Sequence, residues 1–208
     1  MKVGFIGLGA MGRALARHLP SVCELSVYDL NPTAMEELAA HGAQPASSPA
    51  QLGADKDVVF LCLPRSADVE TVLFGEAGLE SALAPGSIVI DQTSGIPSEP
   101  RRFAARLAQR GIAMLDAPVA GGVPGALAGT ITIMMSGDVA AYEAALPLLH
   151  GISPNVYRCS DRVGDAQALK SINNIINAAY RVSTLEIVAV GRAMGLSMAT
   201  MAQALHEN

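Results

Sequence analysis

The chain has 208 residues, a formal net charge of −5 and an isoelectric point near 5.3. That length suits one large domain, or one domain with part of a second, and is enough to bury a core. The acidic balance and the lack of any basic run argue against a nucleic-acid partner.

Val3, Phe5 and Ile6 mark a buried strand that runs into Gly7-Leu8-Gly9-Ala10-Met11-Gly12 and then a helical pattern (Leu15, Ala16, Leu19). In that order each glycine has its own task. Gly7 permits a tight turn, Gly9 lets backbone approach a pyrophosphate, and Gly12 lets the helix pack close to the sheet. The positive end of the helix then faces the phosphates. A second strand, Leu25-Ser26-Val27-Tyr28, ends at Asp29, 20 residues beyond Gly9, where a carboxylate takes the ribose hydroxyls. Asn31 and Pro32 supply a helix cap and first turn on their own, so Asp29 is not needed for that. This is the pattern of a dinucleotide-binding half. NAD is favoured over NADP, because Asp29-Leu30-Asn31-Pro32-Thr33 holds a carboxylate and no Arg or Lys to meet a 2′-phosphate.

Further along, Thr33 to His41 reads as a helix and Ala43 to Pro45 as a weak strand. Asp57 to Leu63 is a continuous apolar run, as expected of a parallel strand covered on both faces, and stops at Pro64. Ser66 to Leu73 is helical, Gly86 to Ile90 is a strand ending at Asp91, and Pro97 to Gln109 is a helix. Strands follow at Ile112 to Leu115, Ile131 to Met135 and Val156-Tyr157, with a helix over Val139 to Leu149. The alternation predicts an α/β fold: a Rossmann-type, doubly wound, mostly parallel sheet over 1–164. Ligands on such sheets bind beyond the carboxyl ends of the strands. Four exits therefore nominate the site: Gly7 to Gly12, Leu63-Pro64, Asp91 to Ser94, and Ala117 to Gly122.

From Asp165 to Met194 there is no proline, which predicts a helix of about 29 residues and about 43 Å at the usual rise. It opens an all-α C-terminal region, 165–208, with a short helix over Ser197 to His206. The later half of the long helix is apolar nearly all round (Ile175, Ile176, Val182, Leu185, Ile187, Val188, Val190), so it needs a cover. The cover is expected from another subunit, as a homodimer or tetramer, or from residues outside this chain. One face carries Lys170, Asn174, Asn177 and Arg181, with Asn173 beside it. Asparagine is a poor helix-interior residue. An amine in a partly desolvated pocket has a lowered pKa and exchanges a proton with an alcohol or carbonyl oxygen. Spacing alone leaves this reading level with a solvated lysine and capping asparagines.

Cys23, Cys62 and Cys159 lie far apart, as do His18, His41, His150 and His206, so no metal-ligand spacing exists and no metal is expected. Cys23 and Cys62 sit in apolar runs, as inert core thiols do. The odd cysteine count, and a first strand that starts at Met1 with no room for a signal peptide, point to the cytoplasm. No apolar run reaches membrane-spanning length, although the mean hydropathy of +0.35 is high.

Four ordered motifs resemble the β-hydroxyacid dehydrogenases, the group of 3-hydroxyisobutyrate dehydrogenase, tartronate-semialdehyde reductase and threonate dehydrogenase, related to 6-phosphogluconate dehydrogenase. They are Gly7 to Gly12; Asp91-Gln92-Thr93-Ser94 with Pro97; Asp116-Ala117-Pro118-Val119-Ala120-Gly121-Gly122 leading to Gly129-Thr130; and Gly164 to Lys170 with Asn173-Asn174. The resemblance implies a hydride-transferring enzyme acting with NAD on a small 3-hydroxy acid, or its aldehyde or ketone. It implies Lys170 as the acid/base and Asn174 as a substrate-holding residue. It places Leu63, Pro64 and Ser94 beside the nicotinamide, and Gly121 and Gly122 around the substrate carboxylate, as a backbone anion nest. Three residues depart from the family pattern. Ala120 stands where a serine is usual, which removes one hydrogen bond to substrate; Thr93-Ser94 inverts the usual order; Ala166 replaces a common glycine. Family members also run on through further C-terminal helices, so the chain as given is expected to be a fragment or a truncated form. Two alternatives remain at this point: a dinucleotide-binding regulatory or scaffold protein without turnover, and an imine reductase on the same architecture.

Overall fold

The computed structural model describes residues 1–206. Its strands, in chain order, are β1 (Lys2–Ile6), β2 (Glu24–Tyr28), β3 (Gln44–Pro45), β4 (Val58–Leu61), β5 (Ile88–Asp91), β6 (Ala113–Asp116), β7 (Val119–Ala120), β8 (Thr132–Ser136) and β9 (Val156–Ser160). Helices fill the intervals. They are α1 (Ala10–Ala16), α2 (Pro32–Ala39), α3 (Pro49–Gly53), α4 (Ser66–Phe74), α5 (Leu79–Ala82), α6 (Ser98–Ala108), α7 (Gly122–Leu127), α8 (Val139–Ile152), α9 (Asp165–Ala193) and α10 (Met198–His206).

The strands form one sheet in the order β3-β2-β1-β4-β5-β6-β8-β7, with β9 paired to β8. Pairing is parallel from β3 through β6, while β8 runs antiparallel to both β6 and β7. The fold class read from the sequence holds. Strand order reverses between β1 and β4, and on such sheets the crevice at the reversal is where ligands bind. Ile6 is in register with Tyr28 and Leu61, Leu61 with Asp91, and Asp91 with Asp116, so five strand ends share one rim.

The alternating side chains of the parallel strands feed two apolar layers, one on each face of the sheet. Phe5, Phe60, Ile90 and Leu115 belong to one, and Ile6, Leu61, Val89, Phe103 and Met114 to the other. Phe5 and Phe60 stack with ring centroids 5.7 Å apart. Several helices start at a side-chain cap. Asn31 caps α2 by accepting the Thr33 N–H at 3.1 Å, with Pro32 at the first helical position. Ser48 caps α3 and Asp138 caps α8 in the same way.

Several boundaries differ from the sequence reading. The strand expected from Gly86 begins at Ile88, and the one expected over Val156-Tyr157 extends to Ser160. The α8 helix runs to Ile152 through Pro147. The short elements α3, α5, β7 and α7 were not anticipated, because two to six residues are too few to show a period.

Contacts divide the chain between Lys170 and Ser171, inside α9. In the unit that begins at Ser171, Gly191 marks a close approach: a Cβ there would lie 2.3 Å from the Met201 Sδ of α10. Gly195, at φ +83°, makes the turn between the two helices. The apolar face of α9 is exposed rather than buried, since α10 is short and little of it faces α9. Ile175, Leu185 and Ile187 are 69, 70 and 64% exposed.

Candidate active site

A cavity of about 720 Å³ opens at the reversal of strand order, lined among others by Gly7, Gly9, Ala10, Met11, Gly12, Asp29, Leu30, Leu63 and Pro64. Its size is that of a small-molecule or cofactor site. Three glycines shape its floor. Gly7 has φ +95°, and a Cβ on it would sit 2.3 Å from the Cys62 carbonyl oxygen of the neighbouring strand. At Gly12 a Cβ would lie 1.8 Å from the Gly7 carbonyl oxygen, so only glycine lets α1 start this close to the turn. A Cβ on Gly9 would meet nothing within 4 Å, and no side chain caps the start of α1. An open glycine facing a cavity, at an uncapped helix start, is a cradle that fits a pyrophosphate.

Asp29 ties this turn to the end of β2. Its Oδ2 accepts the Leu8 N–H at 2.6 Å and its Oδ1 accepts the Asn31 N–H at 2.7 Å. Each carboxylate oxygen keeps further acceptor capacity for a ribose hydroxyl. Leu30 beside it is 90% exposed. The fold also brings Arg65 to the cavity wall, a cation that the local run around Asp29 gave no sign of. Its guanidinium is already engaged by both oxygens of Asp68, at 3.2 Å each. Cys62 lines the same cavity, and burial pushes its thiol up to about 12; burial likewise pushes Cys23 up to about 11. Both are inert as thiolates at neutral pH, and all three cysteines are unpaired. Among the described residues no group of His, Cys, Asp or Glu is placed to hold a metal.

The adjoining exits are bonded to one another. The Leu63 N–H donates to Thr93 Oγ1 at 3.0 Å, joining the end of β4 to the loop after β5. Ser94 is exposed on that loop, outside the cavity lining. Beyond β7, Ala120 leads into Gly121 and Gly122, whose φ values of +131° and +67° turn the chain into α7. That helix is held to the turn that follows α1 by His18, whose Nε2 lies 2.8 Å from the Ala126 carbonyl oxygen.

A buried polar network anchors the start of α9 to this rim. Asp116 Oδ1 accepts the Gly164 N–H at 2.8 Å and its Oδ2 accepts the Gln167 N–H at 2.9 Å. Ser136 Oγ donates to Asp116 and accepts the Ala166 N–H at 2.9 Å. The carboxylate thus caps the helix from another strand, where negative charge is favoured. Gly164, at φ +93°, brings backbone against Pro97, since a Cβ would lie 2.4 Å from that carbonyl oxygen. Burial raises the Asp116 carboxyl above its ordinary range. It pushes Asp91, its register partner, up to about 7, with Asp116 adding to the rise and the bonds from Thr93 opposing it. The neighbouring Gln92 has a buried amide with no hydrogen-bond partner among the described residues.

Lys170 lies one helical turn beyond this anchorage, partly buried, and desolvation lowers its pKa. It forms no ion pair among the described residues. Asn174 follows on the same helix, in the unit that begins at Ser171, and is exposed. Gln167, Asp116 and Ser136 did not stand out in the sequence as site residues. Gln167 and Asp116 lay inside quoted motifs, but nothing local showed that they meet.

Residues 2–160 match the family model described as the NAD binding domain of 6-phosphogluconate dehydrogenase. The chain is 37% identical over 208 residues, all of its length and 70% of the relative's, to the NAD-dependent L-serine dehydrogenase of Pseudomonas aeruginosa. It is 36% identical over 202 residues to the 2-(hydroxymethyl)glutarate dehydrogenase of Eubacterium barkeri, covering 97% of this chain and 67% of that one. The crystal structure of a 3-hydroxyisobutyrate dehydrogenase from Salmonella typhimurium superposes with a TM-score of 0.89 at 31% identity, covering 100% of this chain and 73% of that one. A glycine cradle at the sheet's reversal point, an acidic β2 terminus and these similarities agree: the chain belongs to the β-hydroxyacid dehydrogenases, a family of NAD(P)-dependent oxidoreductases.

Proposed function

We propose that this chain interconverts a small 3-hydroxy acid and its aldehyde or ketone, with Lys170 as the group that exchanges the hydroxyl proton. The observation that carries this reading is the place of Lys170: a partly buried amine with no counter-ion among the described residues, on a helix start bonded to the strand exits. Desolvation favours the neutral amine, which accepts a proton from an alcohol and, once charged, returns it to a carbonyl oxygen. The bound nicotinamide supplies or accepts the hydride. Gly121 and Gly122 present backbone N–H groups to the substrate carboxylate, and Asn174 holds the reacting hydroxyl. Leu63, Pro64 and Ser94 flank the nicotinamide. The turn from Gly7 through Leu8, Gly9, Ala10 and Met11 to Gly12 takes the pyrophosphate, and Asp29 takes the ribose.

L-serine, 2-(hydroxymethyl)glutarate and 3-hydroxyisobutyrate, the compounds in the relatives' names, share a hydroxymethyl group on the carbon that bears the carboxylate. We place the substrate in that class. Ala120 contributes no side-chain hydrogen bond, so the carboxylate relies more on backbone donors. NAD is favoured over NADP, because Asp29 repels a 2′-phosphate, Leu30 offers no charge, and Arg65 is engaged by Asp68. Residues 1–164 form the dinucleotide-binding domain. Residues 165–208 open a helical one that associates with a second copy, and the cytoplasm is the proposed location. No described helix is long and apolar enough to cross a membrane.

The test is a panel of those three acids with NAD and with NADP, followed by reduction of the nicotinamide. Lys170→Ala is expected to lower kcat by about 100-fold or more while leaving NAD affinity nearly unchanged. An equal loss of NAD binding would make the residue structural and leave the non-catalytic nucleotide binder as the better reading.

A further inference from the structure

Gln167 is 1% exposed in the first turn of α9, and both ends of its carboxamide bond to one loop. Oε1 accepts the Gly95 N–H at 3.0 Å, and Nε2 donates to the Thr93 carbonyl at 2.5 Å. Those two backbone groups flank Ser94, so one buried amide grips the loop on both sides of that serine. Its own main-chain N–H is held at the same time by Asp116 at 2.9 Å. The loop is tied in turn to the exit of β4, through Thr93 and Leu63. One residue therefore joins the ends of β5 and β6 to the helix. Lys170 lies three residues on, at the spacing that puts two side chains on one helix face.

Burying a long polar side chain costs rotamer freedom and desolvation that a leucine of similar volume would not. The Thr93 carbonyl and Gly95 N–H need partners once buried, but those could come from backbone or water. Here they come from the residue one turn before the lone amine of the site. We propose that Gln167 is a positioning residue: it fixes the separation between the Lys170 amine and the Ser94 loop, so that the two halves of the site stay in register. This rests on the reading of Lys170 given above.

The chain has only three lysines, Lys2, Lys56 and Lys170. Protein labelled with 13C at the lysine ε-carbon therefore gives three resonances, assignable by K2R and K56R. In the wild-type chain the Lys170 signal is expected to titrate below that of Lys2 and to move on saturation with NAD. In Gln167→Leu, and in the more flexible Gln167→Met, we expect near-UV circular dichroism and NAD affinity to hold within about threefold. The Lys170 titration should shift towards that of Lys2. With the panel acid turned over fastest, kcat should fall by about 10- to 100-fold with little change in KM. Gln167→Glu retains an acceptor for Gly95 but loses the donor to Thr93, and should fall between.

A folded Leu or Met variant with the wild-type Lys170 titration and kcat, even one of lower melting temperature, overturns the proposal and leaves Gln167 as a backbone partner only. Should both variants fail to fold, a wild-type Lys170 signal that NAD leaves unmoved overturns it as well. Lys170→Ala separates the two ideas. If it retains turnover, the proposed function is wrong; if it is inactive while the Gln167 variants are fully active, only the positioning role is wrong.

Discussion

The residues before and after Lys170 treat their apolar side chains in opposite ways. In the first unit Phe5, Phe60 and Phe103 are at most 1% exposed, packed in layers on either face of the sheet. In the second, Ile175, Leu185 and Ile187 each leave more than 60% of their surface to solvent. The helix that links them changes character along its length. Its first turn is held by Asp116, Ser136 and Gln167, all almost fully buried, whereas its later turns carry an apolar face that is largely exposed among the described residues. The first region is satisfied by its own residues. The second holds about 2 kcal/mol of unrealised burial for each Leu or Ile that a partner surface later covers.

This contrast predicts opposite responses to substitution. Asp116→Ala removes the acceptor for two buried N–H groups and one hydroxyl, and should lower stability to urea by about 4 kcal/mol, since each orphaned group costs about 1–3 kcal/mol. A loss below about 1 kcal/mol would show that water replaces the carboxylate and that the anchorage is loose. Leu185→Glu, in the exposed stretch, should leave the folding of the first unit alone. Instead it should convert an associated species into a smaller one, read by sedimentation velocity. An unchanged sedimentation coefficient would show that this face is not the contact surface.

Smaller effects sharpen the picture of the rim. Asp91 has a folded-state pKa of about 7, raised by burial above the unfolded value near 4. The native state therefore binds more protons than the unfolded one between those values. The Asp91 contribution to stability is fully present below about pH 4 and is lost as pH rises through about 7. Asp91→Asn keeps an acceptor for the Thr93 N–H and should flatten that part of the stability profile relative to wild type; parallel profiles would show that Asp91 is already neutralised by another route. Least in size is Gln92→Met. Its buried amide has no partner among the described residues, so an apolar side chain of similar length should be neutral or stabilising by about 1 kcal/mol. A destabilised variant would reveal a partner for that amide, such as an internal water.

Local features were legible where chemistry lies within a few residues. The positive φ at Gly7 and the open face at Gly9 appear where the glycine spacing placed them. The Asn31-Pro32 start of α2 is also as read, because capping acts over three residues. Lys170 stood out as a rare amine on a long helix. Its partly buried state, with no ion pair among the described residues, came from the fold.

What the chain's order of residues settled alone was the alternation of strand and helix, the phosphate-binding turn, the acidic end of β2 and the length of α9. Periodicity and turn chemistry operate over one to four residues of sequence separation, so they survive without tertiary context. The folded structure alone decided the sheet order, the reversal at β8 and the meeting of Gln167 with Thr93 and Gly95. Those contacts span more than 70 residues. Hydrogen bonds of that reach depend on strand register and helix placement, which no local pattern encodes.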